Sequence, residues 1–214
     1  MTGTEGVIKY QLHHRDVAID RNVSTANLSA WRLILFRLNL IGQNAARYGG
    51  YGYGNISERL GNDQFIISGT QTGHLALLEP QHFAVVDRAE PGSNRLYSHG
   101  HCNPSSEALT HAILYQQNNA IGAVIHVHCP EIWCRTKTLE LPFTPENIPY
   151  GTVDMVVAVT NLFTQNAFDQ CGIFSMLGHE DGIVAFGSNI TEAATLLIDK
   201  LSQAITVELN QTNR

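Results

Sequence analysis

Residues 104–128 read PSSEALTHAILYQQNNAIGAVIHVH. Pro104 lacks the N–H that a helix interior needs, so it blocks extension of a helix backwards, and Ser105 and Ser106 are good helix-opening residues. Glu107, His111 and Tyr115 recur every four residues and therefore share one face of the helix that follows. Ala108, Ile113 and Leu114 supply apolar contacts elsewhere on its surface, and Asn118-Asn119 closes it. Ala123–His128 then combines small and β-branched residues, the composition of a short strand. Alternation along that strand puts His126 and His128 on one face, with Ile125 and Val127 on the other. Two neutral imidazoles at this spacing can both reach one metal ion, zinc or a neighbour of zinc.

Upstream of this stretch, Ser24 or Thr25 can cap a helix running through Ala30–Leu38, whose dense apolar positions predict burial of most of its circumference. Gly49, Gly50, Gly52 and Gly54 follow, and such a run lets backbone N–H groups come close to an anion. Asn55–Leu60 and Gln64–Ser68 read as a hairpin across the polar turn Gly61-Asn62-Asp63, with Arg59 a solvated strand residue. The loop Ser68–Gly73 offers hydroxyls and N–H groups but lacks the Gly-Lys-Ser/Thr ending of a P-loop. Phe83–Asp87 is another strand. His13-His14 read as exposed polar residues. His99 and His101 flank Gly100 in a polar loop, with no strand to fix their spacing, and are not expected to bind metal.

Downstream, Cys129 should point away from the histidine face into the core. Glu131–Arg135 reads as a short helix and Leu139–Pro145 as an extended, proline-broken segment. Thr152 can cap a helix that buries Val156, Val157, Val159 and Leu162. Ile173–Leu177 and Gly182–Gly187 are strands, with His179 in the turn between them. Asn189 caps a final helix carrying Ala193, Ala194, Leu197, Ile198 and Leu201. The strands come in hairpin-like order, not as repeated βαβ units. That predicts a three-layer α/β/α fold around a central, mainly antiparallel sheet, formed by residues 1–214 as a single domain.

Composition narrows the function. The chain has 214 residues, 43% hydrophobic and 15% charged, with a net charge of -6. The acidic balance without a basic run argues against a nucleic-acid or anionic-membrane partner. The low charged fraction favours self-association. Cys102, Cys129, Cys134 and Cys171 form no C-x-x-C pair, and no signal peptide is evident, so a reduced, cytoplasmic protein is expected.

Pro-Ser-Ser-Glu, a histidine four residues after the glutamate, and H-x-H at the end of a strand together resemble the class II aldolase/adducin family, which includes aldolases and epimerases of sugar phosphates. The resemblance covers most of Ile41–Leu201. Gly54-Asn55-Ile56-Ser57 is similar to a family segment whose asparagine helps bind a substrate phosphate or carboxylate. The second anion-binding segment of the family corresponds to Ser68, Gly69, Thr70, Thr72 and Gly73. Tyr150-Gly151-Thr152 resembles the segment that introduces a helix. Leu177–Gly182 resembles the segment of the third metal-binding histidine, with Glu180 and Asp181 placed before the glycine; either could be a ligand or orient one.

The resemblance implies one divalent ion, Zn²⁺ or another such as Mn²⁺ or Co²⁺, on His126, His128 and His179. Glu107 would be the base, and Ser105 and Ser106 would bind the distal anion at the helix start. It implies a homotetramer and a lyase that performs retro-aldol cleavage of a small, phosphorylated hydroxy-carbonyl substrate through a metal-stabilised enediolate. None of the matching motifs contains a lysine, which agrees with metal rather than Schiff-base chemistry. The histidine–tyrosine pair that the family's aldolases carry beyond H-x-H is not visible between His128 and Tyr150. An epimerase or dehydratase on the same site is the alternative reading. A non-catalytic domain like the adducin head is a further one, which the intact histidines and Glu107 disfavour.

Overall fold

The computed structural model describes residues 7–61, 63–166 and 168–212. Its elements in chain order are β1 (Gln11–Arg15), α1 (Ala26–Arg37), β2 (Gly42–Gln43), β3 (Gly52–Tyr53), β4 (Asn55–Gly61), β5 (Gln64–Ser68), β6 (Phe83–Glu90) and β7 (Arg95–Gly100). Then come α2 (Ala108–Gln117), β8 (Ala123–His128), α3 (Pro130–Trp133), β9 (Phe143–Thr144), α4 (Val153–Asn166), β10 (Gly172–Met176), β11 (Gly182–Gly187) and α5 (Ile190–Thr212). Nine strands form one sheet in the order β1-β7-β6-β5-β4-β8-β11-β10-β9, while β2 and β3 pair separately. Six of the eight neighbouring pairs in the large sheet are antiparallel; only the outermost, β1 on β7 and β9 on β10, are parallel.

Strand alternation feeds two cores, one on each face of the sheet. Ile56, Ile125, Val127, Ile183 and Ala185 pack against Leu28 and Leu35 of α1, Ile132 of α3 and Leu197 of α5. Phe65, Val124, Phe174, Val184 and Phe186 pack against Leu114 of α2 and Val159 of α4. These are the three layers expected from the hairpin-like strand order. Strand β8 lies in the interior, between β4 and β11, and all six of its residues are buried. His126 and His128 share the face of Val124, so they look toward the layer that contains α2. Two caps agree with the sequence. Met155 N–H donates to Thr152 Oγ1 at 3.3 Å, and Glu192 N–H donates to Asn189 Oδ1 at 3.0 Å.

Several expectations change. Helix α4 leaves Val157 55% exposed instead of burying it. Helix α1 buries Leu28, Ser29, Arg32 and Leu35 but leaves Ile34 39% and Leu38 45% exposed, because it packs on the sheet through one face only. The stretch with His13-His14 is an edge strand, and His99 lies in β7, not in a loop. Neither strand carries a clean apolar alternation; polar contacts across the edge set their register instead. His14 pairs with Ser98 Oγ at 2.9 Å and donates to the Gly100 carbonyl at 3.0 Å, and the His13 ring stacks on Tyr97 with centroids 4.7 Å apart. Arg59 is not a solvated residue. It donates to the carbonyls of Tyr115 at 2.7 Å, Asn118 at 3.3 Å and Ile121 at 2.8 Å, placing a cation at the carbonyl end of α2. Asn62, in the β4–β5 turn, lies outside the described residues, as do the extreme ends of the chain. Among the described residues no helix is long and apolar enough to cross a membrane.

Candidate functional site

The β8–β11 pairing brings three imidazoles together. Its register sets Gly182 opposite His128 and Val184 opposite His126, so the turn that precedes β11 arrives beside the end of β8. Within that turn His179 N–H donates to Met176 at 3.0 Å, and Gly182 N–H donates back to the His179 carbonyl at 2.9 Å. A Cβ on Gly182 would sit 2.6 Å from His179 Cδ2, so only glycine lets the ring lie there. His179 Nε2 is 2.9 Å from His128 Nε2, and one ring nitrogen from each of His126, His128 and His179 falls within 4.8 Å of the others. Glu107, the N-cap of α2, is 1% exposed and points its Oε1 into this group, 3.0 Å from His126 Nε2 and 3.6 Å from His179 Nε2.

The protonation states suit a metal ion. His126 Nδ1 lies 3.2 Å from the Ile183 carbonyl, which can only accept, so a proton on Nδ1 leaves Nε2, the nitrogen that faces Glu107 Oε1 at 3.0 Å, able to ligate. Burial holds His128 well below the usual imidazole range and brings His179 down to about 4, against the pull of Glu107. Both are therefore neutral at pH 7, the form that ligates. Burial opposes ionisation of Glu107, but the facing imidazoles of His126 and His179 outweigh it and hold the carboxyl down to about 2. Ligand nitrogens on one tetrahedral ion stand roughly 3.3 Å apart when each bond is about 2.0–2.1 Å, close to the spacing seen between His128 and His179. Glu107 Oε2 is buried without a hydrogen-bond partner. Three convergent imidazole nitrogens with an uncommitted carboxylate oxygen alongside fit a divalent ion that keeps open positions.

The i, i+4 face of α2 continues the polar chain inward. His111 Nδ1 is 2.7 Å from Ser57 Oγ, which is itself 2.7 Å from Tyr115 Oη. Three tyrosines border the trio: Tyr53 lies tilted against His128 with centroids 5.4 Å apart, and two others meet the imidazoles edge-on. The Tyr150 ring meets His179 edge-on with centroids 4.6 Å apart, and Tyr48 meets His128 in the same way at 4.3 Å. Tyr48 Oη donates to Asp181 Oδ2 at 2.6 Å, and Arg47 Nη2 stands 3.5 Å from the same oxygen. Tyr48 has φ 49° and Asp181 φ 60°, a left-handed conformation that non-glycine residues seldom adopt and that tends to mark functional sites. Asp181, read from sequence as a ligand or an orienting residue, holds Tyr48 and Arg47, while the group that could hold a metal ion consists of the three histidines. The sequence reading missed Tyr48 because its partner is 133 residues away. Its neighbours Gly49 and Gly50 gave the only local hint. Tyr48→Phe removes the bond to Asp181 and should weaken metal binding by about tenfold or more, with the unfolding transition of the metal-free protein little changed. Competition with a chromogenic chelator measures the first effect, and urea titration the second.

Beside the trio lies a small niche lined by Gly52, Gly54, Asn55, Ser105, Ser106 and the loop Gly69–Gly73. Asn55 pairs with His126 across β4 and β8, and Ser106 directly precedes Glu107, so niche and histidines share a border. Asn55 Oδ1 is buried without a hydrogen-bond partner. Thr70, Thr72 and Gly73 lie in the wall, and so does Gln71, which the sequence reading did not single out. Ser68 stands behind it. Its hydroxyl accepts from Ile56 N–H at 3.2 Å, and its carbonyl accepts from Ser105 N–H at 3.2 Å. Gly73 is packed so tightly that a Cβ would meet the Gly42 carbonyl oxygen at 2.3 Å and Gly52 Cα at 2.7 Å. Gly73→Ala should therefore cost about 1–3 kcal/mol of stability, read from the urea midpoint at constant m-value.

The remaining candidates lie elsewhere. His99 Nδ1 is 3.0 Å from Asp87 and His101 Nδ1 is 2.9 Å from Asp16, both outside the histidine trio. Cys129 is fully buried in the core of the opposite face.

Comparison with known proteins gives concordant results. The family described as Class II Aldolase and Adducin N-terminal domain matches residues 43–201. An L-fuculose phosphate aldolase of Methanococcus maripaludis (strain C7) is 32% identical over 168 residues, covering 70% of this chain and 82% of that protein. Among solved structures, an L-fuculose 1-phosphate aldolase superposes with a TM-score of 0.65 at 18% identity, covering 92% of this chain and 89% of its own. A sugar-phosphate aldolase from Thermotoga maritima gives a TM-score of 0.66 at 16% identity, over 88% and 95% of the two chains.

Proposed function

The chain belongs to the class II aldolase and adducin family, and from that premise we propose that it catalyses retro-aldol cleavage of a small hydroxy-carbonyl substrate bearing a distal phosphate. The observation that carries the reading is the convergence of three buried imidazole nitrogens and the Glu107 carboxylate beside a niche rich in hydroxyl and amide groups. His126, His128 and His179 would hold one divalent ion, zinc by the nature of its nitrogen ligands. When bound, that ion supplies Lewis-acid polarisation of the substrate's carbonyl and neighbouring hydroxyl oxygens.

The protein's own groups do the rest. The niche anchors the phosphate through Asn55, the loop Gly69–Gly73 and the Ser105–Ser106 segment, and so fixes how far the reacting carbons stand from Glu107. In the direction of bond formation, the Glu107 carboxylate removes a proton from the carbon next to the carbonyl, and that carbon attacks an aldehyde. The proton ends on the aldehyde oxygen, which becomes the substrate hydroxyl; in cleavage it runs the other way, from that hydroxyl to the Glu107 carboxylate as the carbon–carbon bond breaks and from Glu107 to the carbon left behind. Burial of Glu107 and of all three histidines keeps water from taking that proton. We further propose a homotetramer as the working assembly.

The test is a product assay. Ketose phosphates and 2-keto-3-hydroxy acids are offered to the zinc-loaded enzyme. Two carbonyl fragments are the expected products. Inversion at one carbon or loss of water, without fragments, would transfer the assignment to an epimerase or dehydratase on the same residues.

A further inference from the structure

Arg32 is a long, charged side chain that is 1% exposed. Its guanidinium donates to the carbonyls of Thr72 at 3.1 Å, Gly73 at 3.4 Å, Ala76 at 3.0 Å and Leu75. It also lies over the Phe36 ring, 4.9 Å from its centroid. Among the described residues no carboxylate forms an ion pair with it. Burial lowers its pKa only to about 10, so it is charged at neutral pH. A buried cation held by carbonyls alone keeps most of its charge uncompensated, which is costly unless something negative completes the site.

Thr72 and Gly73, whose carbonyls face Arg32, are also part of the niche wall. In a trans peptide the N–H points opposite to the carbonyl, so binding Arg32 turns the N–H groups of Gly73 and His74 away from the guanidinium. The niche wall itself contains no lysine, arginine or histidine. An anion site without a cation in its lining thus backs onto a buried cation without an anion.

We propose that Arg32 is the positioning residue and the missing counter-charge of this niche: it fixes the Thr72–Ala76 segment and favours a phosphate that it does not touch. The inference rests on the reading of the niche as an anion site, proposed above. One peptide layer separates the two charges, and their attraction through the protein interior is worth on the order of tenfold or more in affinity.

Inorganic phosphate is the probe, measured by equilibrium dialysis against the full-length zinc-loaded protein, with Arg32→Met, Arg32→Gln and Arg32→Lys as variants. The wild type should bind phosphate, Arg32→Lys should bind within about threefold of it, and the neutral variants should bind at least tenfold more weakly at unchanged metal content. Unfolding without phosphate is followed for each, since a purely structural arginine would lower stability and leave phosphate affinity alone. Equal affinity in a folded neutral variant would overturn the role of Arg32 while leaving the niche intact. A wild type that binds no phosphate would remove the anion reading and the inference together. If neither neutral variant folds, Arg32→Lys decides. Affinity kept within threefold supports the charge, and a tenfold loss in a protein of unchanged stability overturns it.

Discussion

Glu107→Gln should lower turnover by about 10²-fold or more and leave the metal in place. The substitution keeps size and hydrogen bonding but removes the negative charge and the ability to carry a proton. Glu107 is the N-cap of α2, where no side-chain oxygen satisfies the first turn, so its carboxylate is not spent on holding the helix. Instead its Oε1 faces His126 and His179, and its Oε2 is uncommitted. A glutamine there can still donate to or accept from the same neighbours, and the fold should survive. Substrate binding should change less than turnover, because the niche proposed to hold the phosphate is built from other residues. Turnover equal to that of the wild type would end the role given to Glu107.

His128→Ala should abolish stoichiometric metal. Its Nε2 stands 2.9 Å from that of His179, and removing it leaves two nitrogens, one on β8 and one on the turn before β11, too few to hold an ion against competing water. Elemental analysis after dialysis should find well below one equivalent, and the stabilisation that added zinc gives the wild type should vanish. The sheet should remain, since β8 keeps its pairing with β4 and β11 and its apolar face of Ile125 and Val127. One retained equivalent of metal would show that the trio is not the site.

Much of this was legible in the sequence because it is local. The placement of His126 and His128 on one strand face and the caps Thr152 and Asn189 depend on residues a few positions apart, and the structure has them, whereas α2 opens on Glu107 and not on Ser105 or Ser106. His179 could be reached only through resemblance to other chains, since a single turn histidine carries no spacing of its own. The contacts missed are long-range and polar. Tyr48 meets Asp181, Arg59 closes α2, and Arg32 reaches the Thr72–Ala76 carbonyls. Periodicity reports which positions face the core, as Arg32 does between Leu28 and Leu35, but not which distant carbonyl or carboxylate a polar side chain will meet. The edge strand Gln11–Arg15 escaped for the same reason, because its register is written in cross-strand side-chain contacts rather than alternating hydrophobic residues.

The two kinds of element that carry the histidines bear on how long an ion stays. His126 and His128 stand on a strand hydrogen-bonded on both sides, whose amides can exchange with solvent only when most of the sheet opens. His179 stands on a tight turn, which needs only a local fluctuation to swing away. Metal departure should therefore begin at His179, and its rate should follow the opening of that turn rather than global unfolding. Amide exchange that is faster at Gly178–Gly182 than at Val124–Val127, and slowed at the turn by bound zinc, would mark residence time as a property of five residues. The lifetime of the loaded state could then be tuned without touching the sheet.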